Sequence, residues 1–283
     1  MKCLYLLSVF GLAIAGLMGH VAYSESTEPS TTTARSPITA ASLDALRDAA
    51  KQGDAAAQFK LGLCFIKGTG VVADLPEGVK WLRKAADQGH AEAQFNIGVS
   101  FEQGIAVEKD QREAVRWYRK SAEQGNADAE FNLGLCCNKG MGVEQDLREA
   151  AKWVRKAAEQ GHTEASYHLG LCYVKGEGLE QDWREAAIWF RKAAERGHAD
   201  AQCKLGFCYA VGKGVEPDQR EAVKWFRKAA EQGNPAGQLN LGISYEQGIA
   251  VEKDLHEAVK WFRKAAEQGD ANAKAALKRL GEQ

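Results

Sequence analysis

The chain has 283 residues, with 37 Lys and Arg against 38 Asp and Glu, so its formal charge is −1. A protein that binds nucleic acid needs a surplus of basic residues on one surface, and this near-neutral balance argues against that class. Hydrophobic residues make up 45% of the chain and charged residues 27%, with 29 glycines and 5 prolines. This composition excludes collagen, low-complexity disorder and a transmembrane bundle, and it favours helices.

Residues 1–24 have the features of a secretory signal. Lys2 is their only charged residue, and the apolar stretch that follows it is short for a membrane span. Ala22 and Ser24 are small residues at the positions that a signal peptidase reads, so we expect cleavage after Ser24, with an uncleaved anchor as the alternative. The Ser/Thr-rich residues 25–40 predict a flexible leader. We therefore expect a periplasmic or secreted protein with no membrane insertion after signal cleavage.

The rest of the chain repeats itself every 36 residues. Tryptophans recur at this interval as Trp81, Trp117, Trp153, Trp189, Trp225 and Trp261, and glycines keep the same interval from Gly53 to Gly269. A fixed interval of this length indicates one supersecondary unit that is stacked on copies of itself. The repeats are placed at 54–89, 90–125, 126–161, 162–197, 198–233 and 234–269, with polar caps at 41–53 and 270–281.

Each repeat has the sequence pattern of a helical hairpin. In residues 90–125, Ala93 and Ile97 lie on one face of a first helix, helix A, and a turn follows at Gly104. Asp110 and Glu113 have the spacing of a capping box at the start of a second helix, helix B. The same Asp and Glu pair occurs in all six repeats.

No motif for catalysis or metal binding was found. The signatures of an activated serine and the H-E-x-x-H zinc motif are absent, and the G-x-G segments join helices, so they predict turns. Three histidines, His90, His162 and His198, occupy the position of Asn126, Asn234 and Asp270 in other repeats. Residues that interchange in this way predict helix caps. We expect no enzyme activity, no cofactor and no metal site.

Six cysteines follow residue 24, and an even number in an exported protein admits a disulfide framework. Four of them share one helix A position, which a helical wheel places opposite the small glycine of the next repeat. Packed helix axes lie about 8–10 Å apart, and a disulfide requires Cα atoms within about 7 Å. We therefore expect buried, mostly reduced thiols, with Cys203 the one that is exposed or paired.

The pattern A-x-x-x-L-G-x-x-[YF], a G-x-G turn and D-x-x-x-A-x-x-W-x-x-K-A-A-x-x-G resembles the Sel1-like repeat of the tetratricopeptide-repeat superfamily, over residues 41–281. The resemblance implies an all-α, right-handed α-solenoid of six helix-turn-helix repeats. It also implies an adaptor scaffold of exported bacterial type, with a role in the envelope or in host interaction. The alternative is a hydrolase that binds or cleaves β-lactams or cell-wall peptide. Cysteine-rich Sel1-like proteins that resemble such an enzyme place a cysteine on each helix of a pair, and here helix B has none.

In such a superhelix, helix A lines the concave side, and we expect a peptide or protein partner to bind there. We also expect the protein to be a monomer. Two columns of helix A residues are the candidate partner-binding residues. The first column contains Phe59, Phe95, Phe131 and Tyr167, followed by Cys203 and Leu239, and the second contains Lys60, Asn96, Asn132, His168, Lys204 and Asn240. Aromatic rings beside amide and basic side chains suit an extended peptide. The alternative is that the rings fill the space between adjacent A helices and that the Asn side chains are merely solvated.

Overall fold

The computed structural model describes residues 40–282. The predicted signal segment 1–24 and residues 25–39 of the predicted leader lie outside the described residues. Residues 40–282 form fourteen α-helices and no strand, which confirms the predicted α-solenoid. The helices are α1 (Ala40–Lys51), α2 (Ala55–Lys67), α3 (Leu75–Asp87), α4 (Ala91–Gln103), α5 (Gln111–Ala122), α6 (Ala127–Lys139), α7 (Leu147–Glu159), α8 (Thr163–Lys175), α9 (Trp183–Glu195), α10 (Ala199–Val211), α11 (Gln219–Glu231), α12 (Pro235–Gln247), α13 (Leu255–Glu267) and α14 (Ala271–Arg279).

The even-numbered helices from α2 to α12 are the predicted A helices, and the odd-numbered helices from α3 to α13 are the B helices. The chain divides into two compact units, one ending at Asp146 and the other beginning at Leu147. In the first unit each helix from α1 to α5 packs on the next along the chain. The helices α7 to α14 of the second unit do the same, and α10 also contacts α12, the next A helix.

One buried position of helix A forms the centre of each repeat. It is occupied by Leu61, Ile97, Leu133, Leu169, Leu205 and Leu241, all of which are fully buried. The glycine that follows this position allows helix B to approach, because a Cβ at Gly206 would lie 2.8 Å from the ring of Phe226 in the same repeat. The expectation that this glycine faces a cysteine of the next repeat was therefore wrong. A side chain of helix B in the same repeat occupies that space, as Leu82 does at Gly62 and Phe226 at Gly206.

The starts of the A helices confirm the cap interpretation of the histidines. Each cap side chain accepts a hydrogen bond from the backbone N–H three residues later, and this leaves one fewer donor unsatisfied at the helix start. The caps are Asp54, His90, Asn126, His162, His198, Asn234 and Asp270.

The starts of the B helices form only half of the predicted capping box. The carboxylate of Asp182 accepts from the backbone N–H of Arg184 and Glu185, as predicted. The backbone N–H of Asp182 instead donates to the carbonyl of Tyr173 on helix A, which closes the turn between the two helices. The Glu185 carboxylate is thus free of the cap and accepts the indole N–H of Trp189 at 3.2 Å.

Polar side chains join consecutive repeats inside the second unit. Gln202 donates to the carbonyl of Ala194 in the preceding repeat at 3.1 Å, and its side chain accepts the amide of Gln232 in its own repeat at 2.7 Å. The guanidinium of Arg227 on α11 donates to the hydroxyl of Tyr245 on α12 at 2.8 Å. These bonds satisfy polar groups at each junction and fix the register of one repeat on the next.

Candidate partner-binding surface

The first predicted column of helix A lies largely inside the protein. Phe95 and Phe131 are only 4% and 5% exposed, and Cys203 is 8% exposed. Phe59 and Tyr167 are half-buried, because each ring stacks on the cap histidine of the next A helix. The ring centroids are 4.6 Å apart for Phe59 and His90 and 4.4 Å apart for Tyr167 and His198.

The prediction of an aromatic groove was therefore wrong, because the side chains of Phe95, Phe131 and Cys203 are buried and offer no surface to a partner. Cys203 was also expected to be the exposed or paired thiol, and it is a buried, free cysteine. Leu239 is half-buried and packs against the core of the last repeat. The rings of Phe59 and Tyr167 fill the space between adjacent A helices, as the alternative interpretation held.

The members of the second predicted column differ in how far their side chains are open to a partner. The amide of Asn96 is 4% exposed and donates to the carbonyl of Glu92 at 2.7 Å, and the amide of Asn240 donates to the carbonyl of Ala236 at 2.8 Å. These Asn side chains bond to their own helix, which leaves them less able to bind a peptide backbone. Lys60 and Lys204 are exposed.

Asn132 is half-buried and acts on the Tyr118 hydroxyl, whose pKa it lowers. Tyr118 is fully buried and also donates to the carboxylate of Glu102 at 2.7 Å. Burial, together with the Glu102 charge, raises the pKa of Tyr118 well above its usual value. Asn132 therefore serves a buried hydroxyl and contributes to the packing of the first unit.

His168 belongs to a cluster of polar groups at one junction of the second unit. Glu164 lies 3.4 Å from the Nε2 atom of His168 and 3.0 Å from the Nε2 atom of His198. The Nδ1 atom of His198 accepts the cap bond from Ala201 at 3.2 Å, so Nε2 carries the hydrogen that is donated to Glu164. The hydrogen bonds from His168 and then His198 hold the pKa of Glu164 well below its usual range, against the effect of burial.

A third helix A column, which the sequence interpretation missed, reaches the surface. It is apolar in all six repeats and consists of Leu63, Val99, Leu135, Leu171, Phe207 and Ile243. Val99 is 5% exposed, four members are half-buried, and Phe207 is 42% exposed. Val211, one turn after Phe207 on the same face, is 51% exposed. Six apolar residues three positions after a polar column were the signal that would have revealed this surface.

Six consecutive segments of the chain match a family model described as Sel1 repeat, at residues 55–90, 91–126, 127–162, 163–198, 199–234 and 235–270. The chain belongs to the Sel1 repeat family. Each matched segment begins one residue after the repeat that was placed from the sequence. Sel1 repeat proteins are in general scaffolds for protein–protein interaction and are typically not enzymes.

Solved Sel1 repeat structures are similar to this chain. The crystal structure of c5321, a protective antigen of uropathogenic Escherichia coli with an SLR fold, is 36% identical with a TM-score of 0.79. The match covers 84% of this chain and 51% of the other, so the chain spans about half the length of that protein. A Sel1 repeat protein from Oxalobacter formigenes is 34% identical with a TM-score of 0.67, over 82% of this chain and 97% of the other. No curated protein gave a significant sequence match.

The thiols of this Sel1 repeat protein are poorly placed for chemistry. Within residues 40–282 no cysteine is in a disulfide, and all but Cys172 are buried. Burial raises the pKa of Cys136 to about 12 and the pKa of Cys172 and Cys208 to about 11. The thiolate is the reactive form of cysteine, and it is scarce at neutral pH for such groups.

In residues 40–282, no group of three or more His, Cys, Asp or Glu residues is arranged to hold a metal ion. None of the fourteen helices is both long and apolar enough to cross a bilayer.

Proposed function

We propose that this Sel1 repeat protein is an exported, non-enzymatic scaffold that binds a peptide or protein along the exposed face of its A helices. The observation that carries the proposal is the third helix A column, which is apolar in every repeat and reaches solvent at Phe207. Phe207 and Val211 form an exposed apolar patch on one face of α10, and such patches are typical of interaction surfaces. Lys60, Lys204 and His168 of the second column flank this column and supply the polar rim.

Phe207 and Ile188 provide a matched pair for testing the surface. Phe207 on the A helix α10 is 42% exposed, and Ile188 on the B helix α9 is 47% exposed. A photo-crosslinking phenylalanine analogue placed at either position has similar access to solvent. We expect reproducible crosslinking of the same protein or peptide from position 207 and none from position 188.

Two results would overturn the choice of surface. One is equal crosslinking from the two positions, which would mean that capture is non-specific. The other is crosslinking from position 188 alone, which would place the partner on the B helices.

Export is proposed from residues 1–24, and the c5321 protective antigen supports a location that the host can reach. We expect the protein in the periplasm or the medium, as a monomer whose first residue is Glu25. Cell fractionation, N-terminal sequencing and light scattering check these points. A full-length chain in the cytoplasm would contradict the proposal, and a membrane-bound chain that keeps Met1 would support the uncleaved anchor instead.

The absence of enzyme activity is proposed from the state of the thiols. A hydrolase of the cysteine-rich type would need a thiolate or another activated nucleophile that can reach its substrate. The buried thiols of Cys136 and Cys208 meet neither condition, since burial raises the pKa of both groups. We expect the purified protein to leave a chromogenic β-lactam unchanged. Turnover above the background rate that is lost on heat denaturation would establish the enzyme alternative.

A further inference from the structure

Each B helix places one glutamate beside two side chains with which it can bond. In α11 the glutamate is Glu221, Lys224 follows three residues later and Trp225 four residues later. Residues three and four positions apart are neighbours on a helix surface, so the carboxylate can reach either side chain. The equivalent residues are Glu77, Lys80 and Trp81 on α3, Glu113, Arg116 and Trp117 on α5, Glu149, Lys152 and Trp153 on α7, Glu185, Ile188 and Trp189 on α9, and Glu257, Lys260 and Trp261 on α13.

In two B helices of the second unit the glutamate bonds to the tryptophan. The indole N–H of Trp189 donates to the carboxylate of Glu185 at 3.2 Å, in a helix whose intervening position is apolar. The indole N–H of Trp153 donates to Glu149 at 3.1 Å, although Lys152 is present beside it. A neighbouring lysine therefore does not by itself draw the carboxylate to the surface.

In the other two B helices of this unit the glutamate bonds to the lysine. The ammonium of Lys224 donates to the carboxylate of Glu221 at 2.5 Å. The Nε1 atom of Trp225 is then buried without a hydrogen-bond partner among residues 40–282, in a side chain that is 8% exposed. The same arrangement occurs in α13 with Glu257, Lys260 and Trp261.

The helices α7 and α11 show that both arrangements are accessible, because the same three residue types adopt opposite arrangements in them. Two opposing effects keep the arrangements close in free energy. An exposed ion pair contributes little and is screened by salt. A buried N–H without an acceptor is costly, but a carboxylate that turns inward gives up part of its own hydration.

We propose that Glu221 is a two-position switch whose carboxylate either pairs with Lys224 at the surface or accepts the buried indole N–H of Trp225. The charge of Lys224 sets the position, so screening or removing that charge moves the carboxylate to the indole. In the inward position Lys224 becomes a free cation on α11. The switch therefore changes the charge that the B helices present to solvent, and it does not depend on the binding surface proposed for the A helices.

Only the carboxylate has to move between the two positions. The indole of Trp225 is held by its burial and by Lys228, whose Nζ atom lies 4.1 Å from the ring centroid. The side chains of Glu221 and Lys224 are 35% and 66% exposed, so both can change rotamer at the surface. The backbone N–H of Glu221 donates to the carboxylate of Asp218 at 3.1 Å, which keeps the helix start in place.

A substitution that copies the apolar position of α9 tests the switch by NMR. In Lys224→Ile, a ¹H–¹⁵N spectrum of the purified chain reports each indole N–H separately, and Trp225→Phe assigns the signal. We expect the Trp225 indole proton to shift downfield and to exchange with water several-fold more slowly, because it gains an acceptor. The Trp261 indole, beside unchanged Lys260, is the internal control and should keep its signal.

A second variant separates the carboxylate from a direct effect of the new isoleucine. The double variant Lys224→Ile with Glu221→Ala should lack the downfield shift, because no acceptor remains beside Trp225. Lys260→Ile is the matched variant on α13 and should move the Trp261 signal alone. Since Lys224 is exposed, the fold should persist, and an unchanged Trp189 signal in each variant verifies this.

Salt tests the role of charge in the unmodified protein. The Debye length falls to about 3 Å at 1 M salt, which screens an exposed ion pair more than a buried bond. Raising sodium chloride to 1 M should move the Trp225 and Trp261 signals in the direction seen in the isoleucine variants, whereas Trp189 should stay. An unchanged Trp225 signal in Lys224→Ile, or a shift that persists in the double variant, would overturn the switch. A Trp225 signal that does not respond to salt would overturn the role assigned to the charge of Lys224.

Discussion

A single methyl group added at Gly214 should destabilise the second unit strongly. Gly214 lies in the turn after α10 with φ +76°, and a Cβ there would be 1.9 Å from the carbonyl oxygen of Trp183 at the start of α9. The other near atoms, the Trp183 carbonyl carbon and the Arg184 nitrogen, also belong to the backbone, so no rotamer change relieves the clash. An ordinary contact would need a shift of about 1.5 Å. The left-handed conformation costs Ala about 1 kcal/mol and overpacking adds about 1–3 kcal/mol.

We therefore expect Gly214→Ala to lower the free energy of unfolding by about 2–4 kcal/mol. Urea unfolding followed by far-UV circular dichroism measures this change, provided that the m-value stays constant. A decrease below 0.5 kcal/mol would refute the argument, because it would mean that the turn can move away from α9 at little cost.

Ala250 offers the reverse substitution at the corresponding position of the last repeat. Ala250 has φ +54°, and the equivalent position of the preceding repeat is occupied by Gly214. Ala250→Gly relieves about 1 kcal/mol of backbone strain and increases the entropy of the unfolded chain by about 0.4–1 kcal/mol. The expected change is less than about 0.5 kcal/mol, since the two effects nearly cancel. A large loss of stability in Ala250→Gly would show that the strain assigned to this turn position is wrong.

Three other predictions concern the polar groups and thiols. Because the pKa of Glu164 is lowered in the folded chain, its contribution is present above the usual carboxyl range and is lost as the pH falls. Glu164→Gln should thus lower the free energy of unfolding by about 1 kcal/mol at pH 7 and by less below about pH 4. Urea unfolding at several pH values measures this cost, with Glu159→Gln as the control. A cost of Glu164→Gln that does not change with pH would contradict the prediction. Gln202→Leu should cost about 1–3 kcal/mol in the same assay, because it removes the buried bond to the carbonyl of Ala194 and the bond from the amide of Gln232. The exposed Gln247→Leu should cost little, and equal costs would count against the buried bonds. Ellman's reagent should label the native thiols slowly and half-buried Cys172 first, and rapid labelling of Cys208 without denaturant would contradict its burial.

The helices could be predicted from the sequence because their starts and ends are marked locally. Asp182 caps α9 and His198 caps α10, and the glycines after each helix adopt positive φ. These signals involve residues within one turn of each other, so a single repeat contains them in full. Six copies at a fixed interval then removed the ambiguity that one copy would leave.

The residues that reach the surface were harder to predict, because exposure depends on the neighbouring repeat. A helical wheel gives the direction of Phe95 but not the group that covers it, and Phe95 is 4% exposed. The same limit applies to Glu185, where the spacing of a capping box was present and the backbone N–H of Asp182 had another acceptor. Phe207 was missed because two other columns of helix A were chosen as the candidate surface.

The junctions of the second unit show why the order of repeats affects the surface that they present. The second residue of one A helix bonds to the cap residue of the next, as Glu164 does with His198 and Asp200 with the amide of Asn234. At the third junction the second residue of α12 is Ala236 and the next cap is Asp270. An alanine at this position avoids placing two acidic side chains at one junction. If the repeat with Asp200 preceded the cap Asp270, like charges would meet. The junction residues therefore make the repeats non-interchangeable, so Lys204 and Phe207 stay at a fixed place between α8 and α12 although all six repeats share one fold.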